Sequence, residues 1–248
     1  MIIIKNDIEI QNMRRAGKVV GNTLAMLEEV VKPGITTKEL DTIAEKYIVE
    51  QGAIPSFKGY CGFPASICTS INEEVVHGIP SDRKLQEGDI ISVDCGAILN
   101  NYHGDAARTF AVGKVSLEAK KIIEATKKCF FQGVKQAIVG NRLTDISAAI
   151  QQYAEGLGYS VVRDYVGHGI GREMHEDPEI PNFGKSGRGP KLVNGMVLAI
   201  EPMINIGDYY VKVQPNGWTV ITKDGKLSCH YENTVAILDD GPEILTLS

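Results

Sequence analysis

The alternation of apolar and polar positions divides this chain into helices and strands before any chemistry is considered. From Asp7 to Val31, Ile10, Met13, Ala16, Val20, Leu24 and Leu27 recur at helical spacing. This predicts a long amphipathic helix that Pro33-Gly34 stops. A second helix is expected over Thr37–Gln51, capped by Thr37, with Leu40, Ile43, Ala44 and Tyr47 inward and Gly52 beyond its end. Strands are expected near Ala65–Ile71, Ile90–Cys95 and Ala106–Val112. Helices return over Leu117–Ile138 and Asp145–Leu157, the latter closed by Gly158. The remaining apolar runs predict strands at Tyr159–Tyr165, Met196–Ile206, Trp218–Thr222 and Glu232–Leu238.

That order repeats. Sliding the chain against itself until Gly34 lies on Gly140 also places Leu40 on Ile146, Tyr47 on Tyr153 and Gly52 on Gly158. Matches of this kind arise by chance, so the repeated succession of long helix, capped short helix and strand group carries more weight. It predicts an α+β fold of two similar halves, about residues 1–112 and 113–248, with a site between their sheets. No linker or low-complexity tract separates them, so residues 1–248 read as one domain.

Composition narrows the class. A hydrophobic content of 43% supports a substantial core, while a net charge of −5 argues against a nucleic-acid footprint or a basic membrane face. The start, MIIIKNDIEIQNMRR, has neither the basic flank nor the cleavage site of a signal peptide. No apolar run reaches the ~18–20 residues that span a bilayer. Five cysteines, Cys61, Cys68, Cys95, Cys129 and Cys229, form an odd set without a CxxC, which reads as reduced thiols in a cytoplasmic protein.

The candidate chemistry lies at the ends of the short apolar runs: Asp94, Asp105, His168, Glu201 and Glu232, on five separate segments. Four carboxylates share a small apolar site only if cations neutralise them. Oxygen-rich ligation with one imidazole suits a pair of divalent ions such as Co, Mn, Fe(II) or Zn, and paired ions are a recurring hydrolytic device. Two of the five can be placed by register. A two-residue turn at Asn100-Asn101 pairs Leu99 with Tyr102. Asp94 then faces Ala107, and Asp105 becomes its diagonal neighbour on the same face, about 7–8 Å away at the backbone. A solvated hairpin edge is the bland alternative, and the buried character of Ile90, Ile91 and Val93 argues against it. His168 lies between two glycines, and His175 follows in the same segment. His77 precedes a Gly-Ile-Pro turn, where a loop residue would be the ordinary reading. His103 and His230 lie two residues from Asp105 and Glu232, positions suited to supporting those ligands.

These residues resemble a known family. The segments SICTSINEEVVHGIP (Ser66–Pro80), ISVDCG with HGDAARTF (Ile91–Phe110), GHGIGREMHEDP (Gly167–Pro178), GMVLAIEPM (Gly195–Met203) and SCHYENT (Ser228–Thr234) are similar to those of type I methionine aminopeptidases, which have the pita-bread fold. The likeness runs essentially the length of the chain. It implies a metal-dependent hydrolase that removes initiator methionine from nascent proteins when the second residue is small, through attack of a metal-activated water on the peptide carbonyl. It also implies Asp94, Asp105, His168, Glu201 and Glu232 as ligands of two divalent ions. In that scheme Asp94 and Glu232 are shared, Asp94 and Asp105 lie largely on one ion, and His168 and Glu201 lie on the other. Glu201 would shuttle the proton, His77 bond the substrate near the scissile amide, and His175 stabilise the oxyanion. Tyr60, Phe63, Cys68 and Trp218 match positions lining the methionine pocket.

Some positions depart from the family pattern. Cys61 stands where many relatives have histidine, Met174 replaces a usual aromatic, and His230 and Asn233 flank Glu232 where Gln and His are common. Expected partners are N-terminal peptides of nascent chains, with the ribosome a further candidate, and the chain is expected to be a monomer. Two alternatives stand beside this reading. One is a proline-directed aminopeptidase of the same fold, and the other is a non-catalytic peptide- or ribosome-binding member.

Overall fold

Helix α1 (Asp7–Val30) begins at Asn6, whose side chain accepts from the Glu9 N–H while the Glu9 carboxylate accepts from the Asn6 N–H. Reciprocal capping of this kind satisfies two of the N–H groups that a helix start leaves unpaired. All six apolar positions of the predicted stripe are buried. The computed structural model describes all 248 residues.

Helix α2 (Thr37–Glu50) is capped by Thr36, not by Thr37 as expected. Thr36 is extended, its hydroxyl accepts from the Glu39 N–H, and its own N–H donates to the Glu39 carboxylate. Thr37 is already helical and its hydroxyl donates to the Ser81 carbonyl. Ile48 completes the inner face in place of the half-buried Tyr47. Helix α3 (Leu117–Val134) stops four residues short of the expected end, where Gln136 and Ala137 turn back on Gly133 and Val134. Helix α4 (Leu143–Gly156) starts earlier than expected because Asp145 acts from inside its first turn, accepting from the Arg142 N–H.

The first sheet is organised around the hairpin of Ile90–Leu99 and Tyr102–Ala111. Asn100 and Asn101 both take positive φ, 53° and 63°, the conformation of a type I′ turn. Leu99 pairs with Tyr102 and Asp94 with Ala107, as the sequence predicts. The strands are longer than predicted because ladder bonds persist through the polar residues near the turn. Ile67–Ile71 and Ile54–Pro55 share the far side of Ile90–Leu99. A five-stranded sheet runs Gly241–Ile244, Asn233–Leu238, Val197–Ile200, Gly167–Gly169, Glu176–Ile180. One three-stranded sheet joins Ser228–His230, Met203–Asn205 and Ser160–Val161. The other joins Val211–Val213, Val220–Thr222 and Glu74–Val76.

The expected strand Met196–Ile206 is therefore two strands in two sheets, broken at Glu201-Pro202, where proline has no N–H for a ladder. The expected Tyr159–Tyr165 shrinks to Ser160–Val161.

The paired glycines correspond in conformation as well as position. Gly34 and Gly140 have φ of 94° and 96°, and Gly52 and Gly158 have 73° and 84°. The Gly34 N–H donates to the Leu85 carbonyl and the Gly140 N–H to that of Leu192. Lone bridges join Thr36 to Lys84 and Arg142 to Lys191. One apolar core packs α1 and α2 on the hairpin sheet through residues such as Leu24, Leu40 and Ile91. A second packs α3 and α4 through Phe130, Ile146, Leu198 and Ile204.

Candidate metal centre

The five candidate ligands lie on two rows of paired residues that cross both halves. In the first row Cys68 pairs with Asp94 and Asp94 with Ala107. Ala107 exchanges both backbone hydrogen bonds with Glu232, at 3.3 and 3.0 Å. Glu232 in turn lies opposite Glu201, since the register pairs Ile200 with Asn233 on one side and Met203 with His230 on the other. In the second row the Asp105 N–H donates to the Thr234 hydroxyl, and the Asp105 carbonyl accepts from it. Thr234 pairs with Ala199, and Ala199 with His168. Rows two residues apart present side chains to one face, so all five converge. Ala107 and Ala199 leave the middle open.

The donor atoms form two groups, each spanning less than 4.8 Å: Asp105, His168 and Glu232, and Asp94, His230 and Glu232. Glu232 is common to both, whereas Asp105 gathers with His168 and not, as the resemblance implied, with Asp94. His230 stands among the donors themselves, nearer than the supporting position its sequence spacing suggested. His103 instead hydrogen-bonds the Ser56 hydroxyl at 2.9 Å.

Three observations fit these residues to cations. His168 Nδ1 donates to the Gly169 carbonyl at 2.9 Å, so the unprotonated Nε2 faces Asp105 Oδ2 at 3.8 Å and Glu201 Oε1 at 3.6 Å. A lone pair directed at carboxylates is repulsive unless a positive charge lies between them. Buried oxygens of Asp94, Asp105 and Glu232 have no hydrogen-bond partner, a cost that native structures seldom leave uncompensated. Burial raises the carboxyls of Asp94, Asp105, Glu201 and Glu232, and neighbouring carboxylates push the last three further. Burial lowers His168 to about 3, which keeps it in the neutral form that binds metals.

The same cavity, about 210 Å³, is lined by every predicted site residue: Tyr60, Phe63, Cys68, His77, Asp94, Asp105, His168, His175, Glu201, Trp218 and Glu232. Phe57, Cys61 and Met174 complete it. Phe57 carried no signal, being a lone aromatic in a loop. Phe63 and Trp218 meet edge to face at 5.1 Å. His77 has φ of 59°, uncommon away from glycine, and the next residue must be glycine because a Cβ on Gly78 would lie 2.0 Å from the Thr69 carbonyl oxygen. His77 packs against Tyr165, with ring centres 5.5 Å apart. The hydroxyl of Tyr60 lies 2.7 Å from His175 Nδ1. Burial lowers His77 to about 4 and depresses His175, so both are neutral near pH 7. Just beyond His175, a deeply buried ion pair between Lys5 and Glu176 at 2.5 Å ties this segment to the N-terminus.

Residues 11–239 match the metallopeptidase family M24, and the chain belongs to that family. It is 71% identical over 248 residues to the methionine aminopeptidase of Clostridium acetobutylicum, covering 100% of this chain and 99% of the relative. The crystal structure of methionine aminopeptidase from Thermotoga maritima superposes with a TM-score of 0.98 at 44% identity, each chain covered in full. The prolidase of Pyrococcus horikoshii shares the fold, with a TM-score of 0.81 at 24% identity, covering 100% of this chain and 64% of that one. The pita-bread architecture expected from the sequence is therefore present.

Proposed function

We propose that this chain removes the initiator methionine from nascent proteins whose second residue is small. The observation that carries the reading is one cavity in which a buried carboxylate–imidazole donor set adjoins an apolar slot. Asp94, Asp105, His168, Glu201 and Glu232 would hold two divalent ions, from among Co, Mn, Fe(II) and Zn. When bound, such ions supply positive charge for a developing oxyanion and make a water acidic enough to ionise near neutral pH.

The chain's own residues do the rest. Glu201 accepts the proton of the attacking water and passes it to the leaving amine. In this reading the Tyr60 hydroxyl, 2.7 Å from His175 Nδ1, is the donor, so that Nε2–H is free to donate to the carbonyl oxygen as charge develops. His77, neutral and held by its backbone, bonds the substrate near the scissile amide. Phe63, Cys68, Trp218 and Tyr60 hold the methionine side chain by dispersion and sulfur–aromatic contact. Crowding near His77 and the donor set restricts the second residue to Gly, Ala or Ser. We read the chain as one cytoplasmic, monomeric domain with halves near 1–112 and 113–248, acting on N-terminal peptides of nascent proteins, with the ribosome a candidate partner. No helix is long and apolar enough to cross a membrane.

Turnover of Met-Ala-Ser, norleucyl-Ala-Ser, Met-Lys-Ser and an Xaa-Pro peptide tests this. The slot distinguishes norleucine from methionine by no more than about 1–3 kcal/mol, so the first two are cleaved, while crowding at the second residue excludes Met-Lys-Ser. Efficient removal of N-terminal Lys or Glu, or a strict need for proline in second position, contradicts the assignment.

A further inference from the structure

His230 is 1% exposed, yet its Nε2 has no hydrogen-bond partner. That nitrogen lies 3.7 Å from Glu201 Oε2 and 3.7 Å from Glu232 Oε2. Both distances exceed a hydrogen bond, and both match the spacing of atoms that share an ion. Two donors about 2.1 Å from one metal lie roughly 3–3.7 Å apart. His168 stands in the same relation on the other side, 3.6 Å from Glu201 Oε1 and 3.8 Å from Asp105 Oδ2. The two imidazoles thus flank Glu201, one at each oxygen. The His230 backbone is fixed as well: its N–H donates to the Thr109 hydroxyl at 3.0 Å, and its carbonyl accepts from that hydroxyl at 2.9 Å. Strand pairing with Met203 holds it from the far side. The ring is therefore aimed at the site by the sheet.

We propose that His230 is a sixth protein ligand, completing an Asp94–His230–Glu232 site for the second ion. The inference rests on the metal reading above and goes beyond its five ligands. Each ion then has an imidazole of its own, His168 on the Asp105 side and His230 on the Asp94 side. Nitrogen donation on the Asp94 side moves that site's preference from Mn toward Fe(II), Co and Zn. A purely supporting histidine would instead donate to a ligand oxygen at hydrogen-bonding distance, and no such bond is present.

The test is proton NMR of the whole chain loaded with Co(II), which shifts the exchangeable ring N–H of each bound histidine far outside the ordinary range. At two equivalents the wild-type protein should show two such signals. His230→Gln should remove one and weaken binding of the second equivalent about 10-fold or more, whereas His168→Gln should remove the other. A single shifted signal at two equivalents, lost in His168→Gln, overturns the role of His230 while leaving the five-ligand centre standing. No shifted signal and no Co(II) uptake would overturn both. The wild-type count decides the matter even if a variant fails to fold.

Discussion

Glu201 and Glu232 lie directly opposite one another where two antiparallel strands pass together from one sheet into the next. The pairing of Ile200 with Asn233 and of Met203 with His230 brackets them. Pro202 breaks the ladder beside Glu201, and Asn182 holds the Glu201 carbonyl at 3.0 Å. Regular sheet would bury such a pair of carboxylates against a neighbouring strand. The break frees both to face the hairpin that carries Asp94 and Asp105.

Because Glu201 is placed both to bind cations and to move a proton, Glu201→Gln should remain folded while losing activity about 10²–10⁴-fold, the usual range for an acid–base group. Asp105→Ala should abolish activity and weaken metal uptake. Circular dichroism, calorimetric metal titration and turnover of Met-Ala-Ser separate these effects. Retained uptake and activity in Asp105→Ala would remove that residue from the centre.

His77 and His175 are assigned to substrate, so His77→Ala and His175→Ala should each lower kcat by about 10² or more with metal content unchanged. Tyr60→Phe should reproduce part of the His175 effect, since it removes the hydroxyl 2.7 Å from Nδ1. Metal loss in either histidine variant would mean that the division of labour is wrong.

Much of this site is legible in the sequence because it is built from register. The turn at Asn100-Asn101 determines which face Asp94 and Asp105 share, and period-two alternation does the rest. The second half is harder to read. Gly167–Gly169, Ser228–His230 and Val211–Val213 are each three residues long, too short for alternation to declare a strand. The break at Glu201-Pro202 sits inside an apolar run that reads as continuous. The place of His230 among the donors depends on pairing between distant segments, which local pattern does not encode. Thr36 displaced Thr37 as the α2 cap for a similar reason, since both are threonines and only backbone conformation distinguishes them.

Close contact between α1 and the hairpin supports the site from behind. A Cβ on Gly104, next to Asp105, would lie 2.7 Å from the Gly17 nitrogen and 2.8 Å from its Cα. Neither backbone atom can swing aside. Gly104→Ala should therefore cost about 1–3 kcal/mol, visible as a lower Tm, with weaker metal binding as the hairpin shifts. At Gly156 a Cβ would meet nothing within 4 Å, so Gly156→Ala should be neutral or stabilise by up to about 1 kcal/mol. Equal Tm values for the two variants would contradict the packing argument.

The chelated protein should lose stability as pH rises. Burial raises Asp94 to about 7 and lifts Asp105, Glu201 and Glu232 well above the ordinary carboxyl range. The folded chain then keeps protons that the unfolded chain releases near about pH 4, so stability is lost as pH climbs through the folded values. His77 and His168, lowered to about 4 and about 3, are neutral in both states above about pH 6.5 and add no slope there. Below that they act in the opposite sense, because the unfolded chain takes up protons first. Tm of the EDTA-treated protein should fall as pH rises above about 6.5, the ordinary value for histidine, and added Mn(II) should flatten or reverse the trend. A Tm that rises with pH in the chelated protein would contradict the electrostatic account.

The most direct test of the central claim is a titration of metal-free protein with a divalent ion, counting bound metal per chain while following release of methionine from Met-Ala-Ser. Chelated protein should show no turnover, and activity should return as the centre fills, with uptake ending near two ions per chain. Chelated protein that cleaves the peptide at the rate of the loaded one would contradict that claim.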